Sequence, residues 1–259
     1  MPAALVTGAG KRLGRAMALT LAEDGYDVAI HYATSGDAAE EVANIIRDKG
    51  RRAVTCQADL TVEDEIAGLV PAAVQGLDQP LTCLVNNASI FDYDTLHTAD
   101  RTSWDRHFQS NLRAPFVLIQ QFAAQAPEAE TDENGEPRAR ALVVNMIDQR
   151  VRKLTPEFMT YTLAKSALWT LTRTAAQALT PNVRVNAIGP GPTLIGARQS
   201  DSHFAAQRAA TVLSRGSNPE DITGALRYFL SSPGVTGQLL CTDGGQHLGW
   251  QTPDVQGVE

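Results

Sequence analysis

Short, continuously apolar runs alternate along this chain with helix-length segments. The runs Ala3–Thr7, Asp27–Tyr32, Arg52–Ala58, Leu81–Asn86, Ala141–Met146, Val183–Ile188 and Gln238–Cys241 predict seven strands. They are hydrophobic throughout rather than at every second position, which suits a parallel sheet covered on both faces. Helices are expected over Arg12–Asp24, Asp37–Lys49, Val62–Val74, Thr102–Ala126, Pro156–Leu179 and Pro219–Leu230. Strand and helix alternate with no internal repeat and no interdomain linker. The expectation is one α/β domain over residues 1–259 with a doubly wound, Rossmann-like, seven-stranded parallel sheet.

Two segments break this rhythm. Residues 127–140 (PEAETDENGEPRAR) are polar and charged and carry Pro and Gly, so an exposed loop is expected there. Residues 189–217 open with Gly-Pro-Gly-Pro-Thr, which can continue neither a strand nor a helix. Ligands of open α/β sheets sit beyond the carboxyl ends of the strands. A long segment following the sixth strand is therefore a candidate substrate lid, with an irregular surface connection as its plainer alternative.

Composition narrows the class. At 259 residues and 43% hydrophobic, the chain can bury one sizeable core. No apolar run reaches the length of a membrane span, and no secretory signal is seen, so a cytoplasmic protein without a membrane partner is expected. Cys56, Cys83 and Cys241 are odd in number and scattered in apolar segments, as free buried thiols in a reducing compartment would be, with no metal site. The net charge of −7 argues against nucleic acid as a partner.

The chemistry-bearing residues cluster at strand ends. Gly8, Gly10 and Gly14 occupy the turn from the first strand into the first helix, where a backbone without side chains can approach a pyrophosphate and the helix N-terminus offers free amides. The second strand ends His31-Tyr32-Ala33-Thr34-Ser35, with no acid before Asp37. An acid there would bind the ribose hydroxyls of NAD and repel a 2′-phosphate. Lys11, Arg12, His31 and Ser35 would instead attract that phosphate, so NADPH is the expected cofactor. Tyr161 and Lys165 stand four residues apart, on one face of the helix expected there. Asp148 closes the apolar run ending Asn145-Met146-Ile147, thirteen residues before the tyrosine.

With Asn86-Asn87-Ala88, Asn111 and Pro190-Gly191 in the same order, these motifs resemble the short-chain dehydrogenase/reductase family. The resemblance implies Tyr161 as proton donor or acceptor, and Lys165 as the group that lowers its pKa and grips the nicotinamide ribose. It implies that Asn111 supports a water path to the lysine. Asp59 and Leu60 would lie at the adenine, Asn87 and Ala88 would line the cofactor, and Leu13, Pro190 and Gly191 would border it. Two departures stand out: Arg12 replaces the middle glycine of the family's TGxxxGxG, and Asp148 stands where most members have serine.

Asp148 decides the substrate class. An ionised carboxylate would repel the negative charge that grows on a ketone oxygen. At about 4 Å and an effective dielectric near 20 the penalty is roughly 4 kcal/mol, about a thousandfold in rate. A carbon–nitrogen double bond removes the conflict, because its nitrogen becomes more basic as hydride arrives at carbon. The same carboxylate would raise the pKa of Tyr161 and keep it a proton donor. The chain also resembles the pteridine reductase branch of the family, including dihydromonapterin and dihydrofolate reductases of this fold. Lys11-Arg12-Leu13-Gly14, His31-Tyr32 with Ser35, Asn86-Asn87-Ala88-Ser89-Ile90-Phe91 and Asn145-Met146-Ile147-Asp148 carry that likeness over residues 3–248. It implies a pterin-like substrate with Phe91 stacked on the ring and Ser89 and Arg12 beside it. It implies also that the expected arginine before Ser35 is replaced, by Thr34.

Plainer readings exist for several of these residues. Asp59 could cap the next helix and Asp148 the next loop, Lys11-Arg12 could be a solvated helix start, and Phe91 could be core. The basic run Gln149–Lys153 could attract an anionic tail or simply be solvated. A carbonyl reductase, acting on a 3-oxoacyl thioester or a sugar, is an alternative that requires Asp148 neutral or turned away. A non-catalytic dinucleotide-sensing protein is a third. Family members are usually tetramers, so a homotetramer is expected, with Trp104, Phe108 and residues 156–179 as contact faces. The tail after His247 is expected to reach a neighbouring subunit's site.

Overall fold

The computed structural model describes residues 1–196, 198–250 and 252. The chain begins β1 (Ala3–Val6), α1 (Arg12–Glu23), β2 (Asp27–Tyr32), α2 (Gly36–Asp48), β3 (Ala53–Gln57), α3 (Glu63–Leu77) and β4 (Cys83–Asn86). It continues with α4 (Arg101–Phe108), α5 (Ala114–Gln125), β5 (Glu130–Thr131), β6 (Pro137–Arg138), β7 (Ala141–Met146) and α6 (Met159–Ala178). It ends with β8 (Val183–Pro190), α7 (Asp201–Ala209), α8 (Pro219–Ser231) and β9 (Leu239–Thr242). Seven of these strands form one parallel sheet in the order β3-β2-β1-β4-β7-β8-β9.

The doubly wound sheet expected from the apolar runs is thus present, and its central strands are buried along their whole length. Successive side chains point to opposite faces. Leu5, Leu84 and Val143 pack towards α3, α5 and α6, whereas Val6, Val85 and Val144 pack towards α1, α2 and α8. From β1 the chain winds outward through β2 and β3, then in the other direction through β4 and β7. The loops after β1 and β4 therefore part at a crevice, the usual ligand position of such sheets.

Three expectations need correction. The single helix over 102–126 is interrupted, because Gln109–Arg113 forms a π-helical turn between α4 and α5. Pro115 explains it: proline has no amide to donate and its ring collides with the carbonyl four residues back, here that of Asn111. The helix expected from Pro156 begins at Met159, because Glu157 bridges to Thr95 and Phe158 takes a left-handed conformation with φ of 54°. Residues 127–140 are exposed but not irregular, since β5 and β6 pair as a hairpin whose turn is closed by Asp132, which accepts from the amides of Asn134 and Glu136. The segment after β8 likewise contains α7, capped by Ser200 and presenting no buried residue. Among the described residues no helix is long and apolar enough to cross a membrane. Cys56, Cys83 and Cys241 are free thiols.

Candidate active site

The turn after β1 is fastened by bonds between side chains and main chain. Thr7 Oγ1 accepts from the amides of Asn87 (2.8 Å) and Ala88 (2.9 Å), and Asn87 Nδ2 donates to the Thr7 carbonyl (2.8 Å). Gly8, at φ of 63°, lies where an added Cβ would sit 3.2 Å from Ala88 Cα. Gly14 is stricter, because a Cβ there would meet the Gly8 carbonyl and lie 2.6 Å from Asn87 Nδ2. A Cβ on Gly10 would lie 3.2 Å from the Ala39 amide. Asn87 therefore ties the bases of these two loops together, and the first amides of α1 have no partner within the helix.

His31 departs from expectation. Its ring is 2% exposed; Nδ1 accepts from the Gly8 amide at 3.0 Å and Nε2 faces the Ala58 carbonyl at 2.9 Å. Burial lowers its pKa, and with both ring nitrogens engaged neither is free for a phosphate. Arg12 also differs. At φ of 54° it turns its guanidinium onto the carbonyls of Leu194 (3.1 Å) and Ile195 (2.8 Å), fastening the segment after β8 to the glycine turn. Tyr32 packs against Gly36, and Ser35 stands at the start of α2 without a side-chain capping bond. Asp59 caps its own turn through Thr61 (2.8 and 2.7 Å), while the side chain of Leu60 is buried in the core and leaves only its main chain to a ligand. Pro190 ends β8, and Gly191 is required by the approach of Asp243, whose Cβ would lie 2.6 Å from a new Cβ.

Around the next strand ends the titratable groups converge. Asp148, just past β7, accepts from the Arg150 amide at Oδ1 (2.8 Å) and from the Tyr161 hydroxyl at Oδ2 (3.0 Å). One turn along α6, Lys165 donates to the Met146 carbonyl at 2.7 Å. Burial raises the pKa of Asp148, against the pull of the Arg150 amide, Arg150, Tyr161 and Lys165. Tyr161 is pushed well above the usual phenol range, first by burial and then by the Asp148 charge and hydrogen bond. Burial takes Lys165 down to about 8, opposed by Asp148. At the phenol, burial and Asp148 outweigh the lowering influence of Arg150 and Ser89, which favours the protonated form of Tyr161.

Behind this trio Asn111 is fully buried, and its amide is closed in both senses on Ile90, accepting from the Ile90 amide (2.9 Å) and donating to its carbonyl (2.8 Å). It holds the strip that carries Ser89 and Phe91. Phe91 is 40% exposed and stacks on Phe158 with centroids 4.3 Å apart, its edge against Tyr161 at 4.6 Å. Arg198 lies over Phe91 at 5.4 Å and donates to its carbonyl, and Arg150 lies over Phe158 at 4.8 Å. Phe91, Phe158, Arg150, Arg198 and Asp148 line a cavity of about 740 Å³ together with Arg12, Leu13, Tyr93 and Pro190–Leu194. Sequence reasoning did not single out Phe158, Arg198 or Tyr93; Phe158 follows no periodic pattern, and Arg198 arrives from a segment remote in sequence. Another cavity, of about 1030 Å³, lies elsewhere, on the outer faces of α4, α5 and α6. Of the basic run, Arg152 donates to the Leu239 carbonyl (3.2 Å) and Lys153 approaches Gly249. Of the tail after His247, Gln251 and residues 253–255 lie outside the described residues.

Comparison with known proteins gives a family and several relatives of the same fold. A family model described as enoyl-(acyl carrier protein) reductase matches residues 8–247. Pteridine reductase 1 of Leishmania tarentolae is 31% identical, covering 95% of this chain and 96% of its own length. A short-chain type dehydrogenase/reductase of Picea abies is 33% identical over 94% of this chain and 91% of its own. The crystal structure of FolM alternative dihydrofolate reductase 1 from Brucella suis, in complex with NADP, superposes with a TM-score of 0.90 at 44% identity, covering 98% of both chains.

Proposed function

Since the chain belongs to the short-chain dehydrogenase/reductase family, we propose that it is an NADPH-dependent reductase of the carbon–nitrogen double bond of a dihydropterin, of the dihydromonapterin, dihydrobiopterin or dihydrofolate kind. One observation carries this reading: the Tyr161 hydroxyl donates to the carboxylate of Asp148 at 3.0 Å. A proton donor and an anion thus face the same reacting position, which suits a nitrogen that must gain a proton and stay hydrogen-bonded to a carboxylate. They do not suit an oxygen that gains negative charge.

The residues fit the cofactor. The glycine turn leaves no room for side chains between Gly8, Gly14 and Ala88, and the amides opening α1 would take the pyrophosphate. Tyr32 and Ser35 stand at the end of β2 and Lys11 at the start of α1, with no acid between Tyr32 and Asp37 to repel a 2′-phosphate. NADPH, when bound, supplies the hydride to a ring carbon. Lys165 and Tyr161 would hold the ribose side, and the exposed ring of Phe91 offers a flat surface for the pterin. Asp148 would accept from a ring N–H while Tyr161 gives its proton to the ring nitrogen, so that C=N becomes CH–NH. The relatives named pteridine reductase and alternative dihydrofolate reductase support the substrate class.

A homotetramer in a reducing cytoplasm completes the reading. The free thiols suit such a compartment, and the cavity lined by Phe108, Phe116 and Leu171 on α4 to α6 offers a face for pairing. One observation favours a second substrate class. Burial raises the pKa of Asp148, and a neutral Asp148 could donate to a ketone as serine does.

The test follows NADPH oxidation with 7,8-dihydromonapterin or 7,8-dihydrobiopterin beside an acetoacetyl thioester, with Tyr161→Phe as the inactive control. Tyrosine-dependent turnover of the dihydropterin alone is expected. Turnover of the thioester alone would transfer the conclusion to carbonyl reduction. NADPH bound with neither substrate turned over would leave a dinucleotide-sensing protein.

A further inference from the structure

Beneath the loop that carries Phe91 lies a buried chain of hydrogen bonds that the proposed chemistry does not use. The His107 ring on α4 is 0% exposed, Thr160 is 1% exposed and Asp94 is 2% exposed. The Asp92 amide donates to His107 Nε2 at 3.0 Å. An amide can only donate, so Nε2 carries no hydrogen and the imidazole proton sits on Nδ1. Nδ1 lies 2.7 Å from Thr160 Oγ1 and must donate to it. The threonine hydroxyl, having accepted, gives its own hydrogen to Asp94 Oδ2, and the Thr160 amide donates to Asp94 Oδ1 at 3.1 Å. Every donor has one acceptor, and the direction of the chain is fixed. A buried, neutral imidazole agrees with burial as the main influence on this ring.

We propose that His107 is a positioning residue that, through Asp92, Thr160 and Asp94, fixes the loop Phe91–Asp94 against the catalytic end of α6. The geometry supports this at both ends. Asp92 directly follows Phe91, and Thr160 directly precedes Tyr161. The loop runs beside residues 157–159, bridging Thr95 to Glu157 and accepting from the Met159 amide at the Asp94 carbonyl (3.3 Å). The His107 ring also stands edge-on to Tyr161, with centroids 6.0 Å apart at 71°. One bond of His107 thus sets the stacking surface and the other sets the proton donor. The inference rests on the proposed function only in taking Phe91 as a surface for substrate.

Two near-isosteric variants divide the chain. His107→Asn keeps a donor near the Nδ1 position and loses the acceptor for Asp92, whereas His107→Gln keeps an acceptor near Nε2 and loses the donor to Thr160. In His107→Asn, hydrogen exchange at the Asp92 amide should accelerate by about tenfold or more, and KM for the dihydropterin should rise about tenfold, with KM for NADPH unchanged. In His107→Gln exchange at Asp92 should stay slow while kcat falls. Thr160→Val should behave as His107→Gln, and Thr160→Ser should restore wild-type values. If the histidine variants do not fold, the contrast between Thr160→Val and Thr160→Ser decides the matter. Equal losses in both histidine variants with exchange at 91–95 unaltered, or no effect from any variant, would overturn the proposal. If the wild type reduces no dihydropterin, the substrate reading fails, and the exchange comparison, which needs no substrate, still decides the role of His107.

Discussion

At Asp148 burial and bonding pull in opposite directions. Burial raises the pKa of its carboxyl, while the Arg150 amide, Arg150, Tyr161 and Lys165 lower it. The same anion holds Lys165 up against burial, at about 8. Lys165 is therefore charged below about pH 8 and loses its charge as pH rises through that value, so kcat/KM should fall on the alkaline side near pH 8. Asp148→Asn removes the attraction that raises Lys165, and the alkaline limb should move to lower pH; a limb that stays in place would assign it to another group. Asp148→Ser should weaken dihydropterin reduction and raise ketone reduction, read as the ratio of the two rates. How legible these residues were depended on burial. Tyr161, Lys165 and Asp148 could be read from spacing because they share a helix face and a strand end. His31 could not, because nothing in His-Tyr-Ala-Thr-Ser reveals that Gly8 and Ala58 enclose its ring.

The elements differ in what fixes them. β1, β4 and β7 were legible as apolar runs because both faces of a parallel sheet are covered. The hairpin of β5 and β6 and the helix α7 were not, since all four hairpin residues are exposed and α7 buries none of its own, leaving no pattern to read. The azimuth of α6 is set by polar side chains that sequence alone could not pair. Asn86 donates to Asn145 (2.8 Å), Asn145 donates to Thr172 (2.9 Å), and Thr172 donates to the Leu168 carbonyl (2.9 Å), all buried. Thr172→Val would leave the Asn145 amide without an acceptor, costing about 1–3 kcal/mol. The urea midpoint should fall accordingly. Activity should fall too, because the same helix aims Tyr161 and Lys165.

Across the whole molecule, a stabilising charge cluster and the chemistry sit at opposite ends of the strands. The reacting groups gather at the carboxyl ends of the strands, while Asp27, at the start of β2, accepts from the Arg52 amide (2.8 Å), Arg52 Nε (2.9 Å) and Gln79 (3.0 Å). Its pKa is lowered, the bonds from Arg52 outweighing burial. A depressed carboxylate stabilises the fold above its unfolded value, about 3.9, and that contribution is lost as pH falls through the folded value. Asp27→Asn should lower the melting temperature at neutral pH, flatten the acid loss of stability and leave KM unchanged. The π turn of Gln109–Arg113 constrains the molecule in another way, through chain length. A π turn holds one residue more than the α turn it replaces. Deleting one of the residues before Asn111 would let the turn close to an α turn, with α4 and α5 keeping their faces while the residues inside the turn, Asn111 among them, move by about 100° around the helix. Asn111 would then leave Ile90, and the strip it holds would lose its support. A change of length that the exposed 127–140 hairpin can absorb would therefore cost the site its support here, where the number of residues, and not only their identity, decides which side chain reaches Ile90.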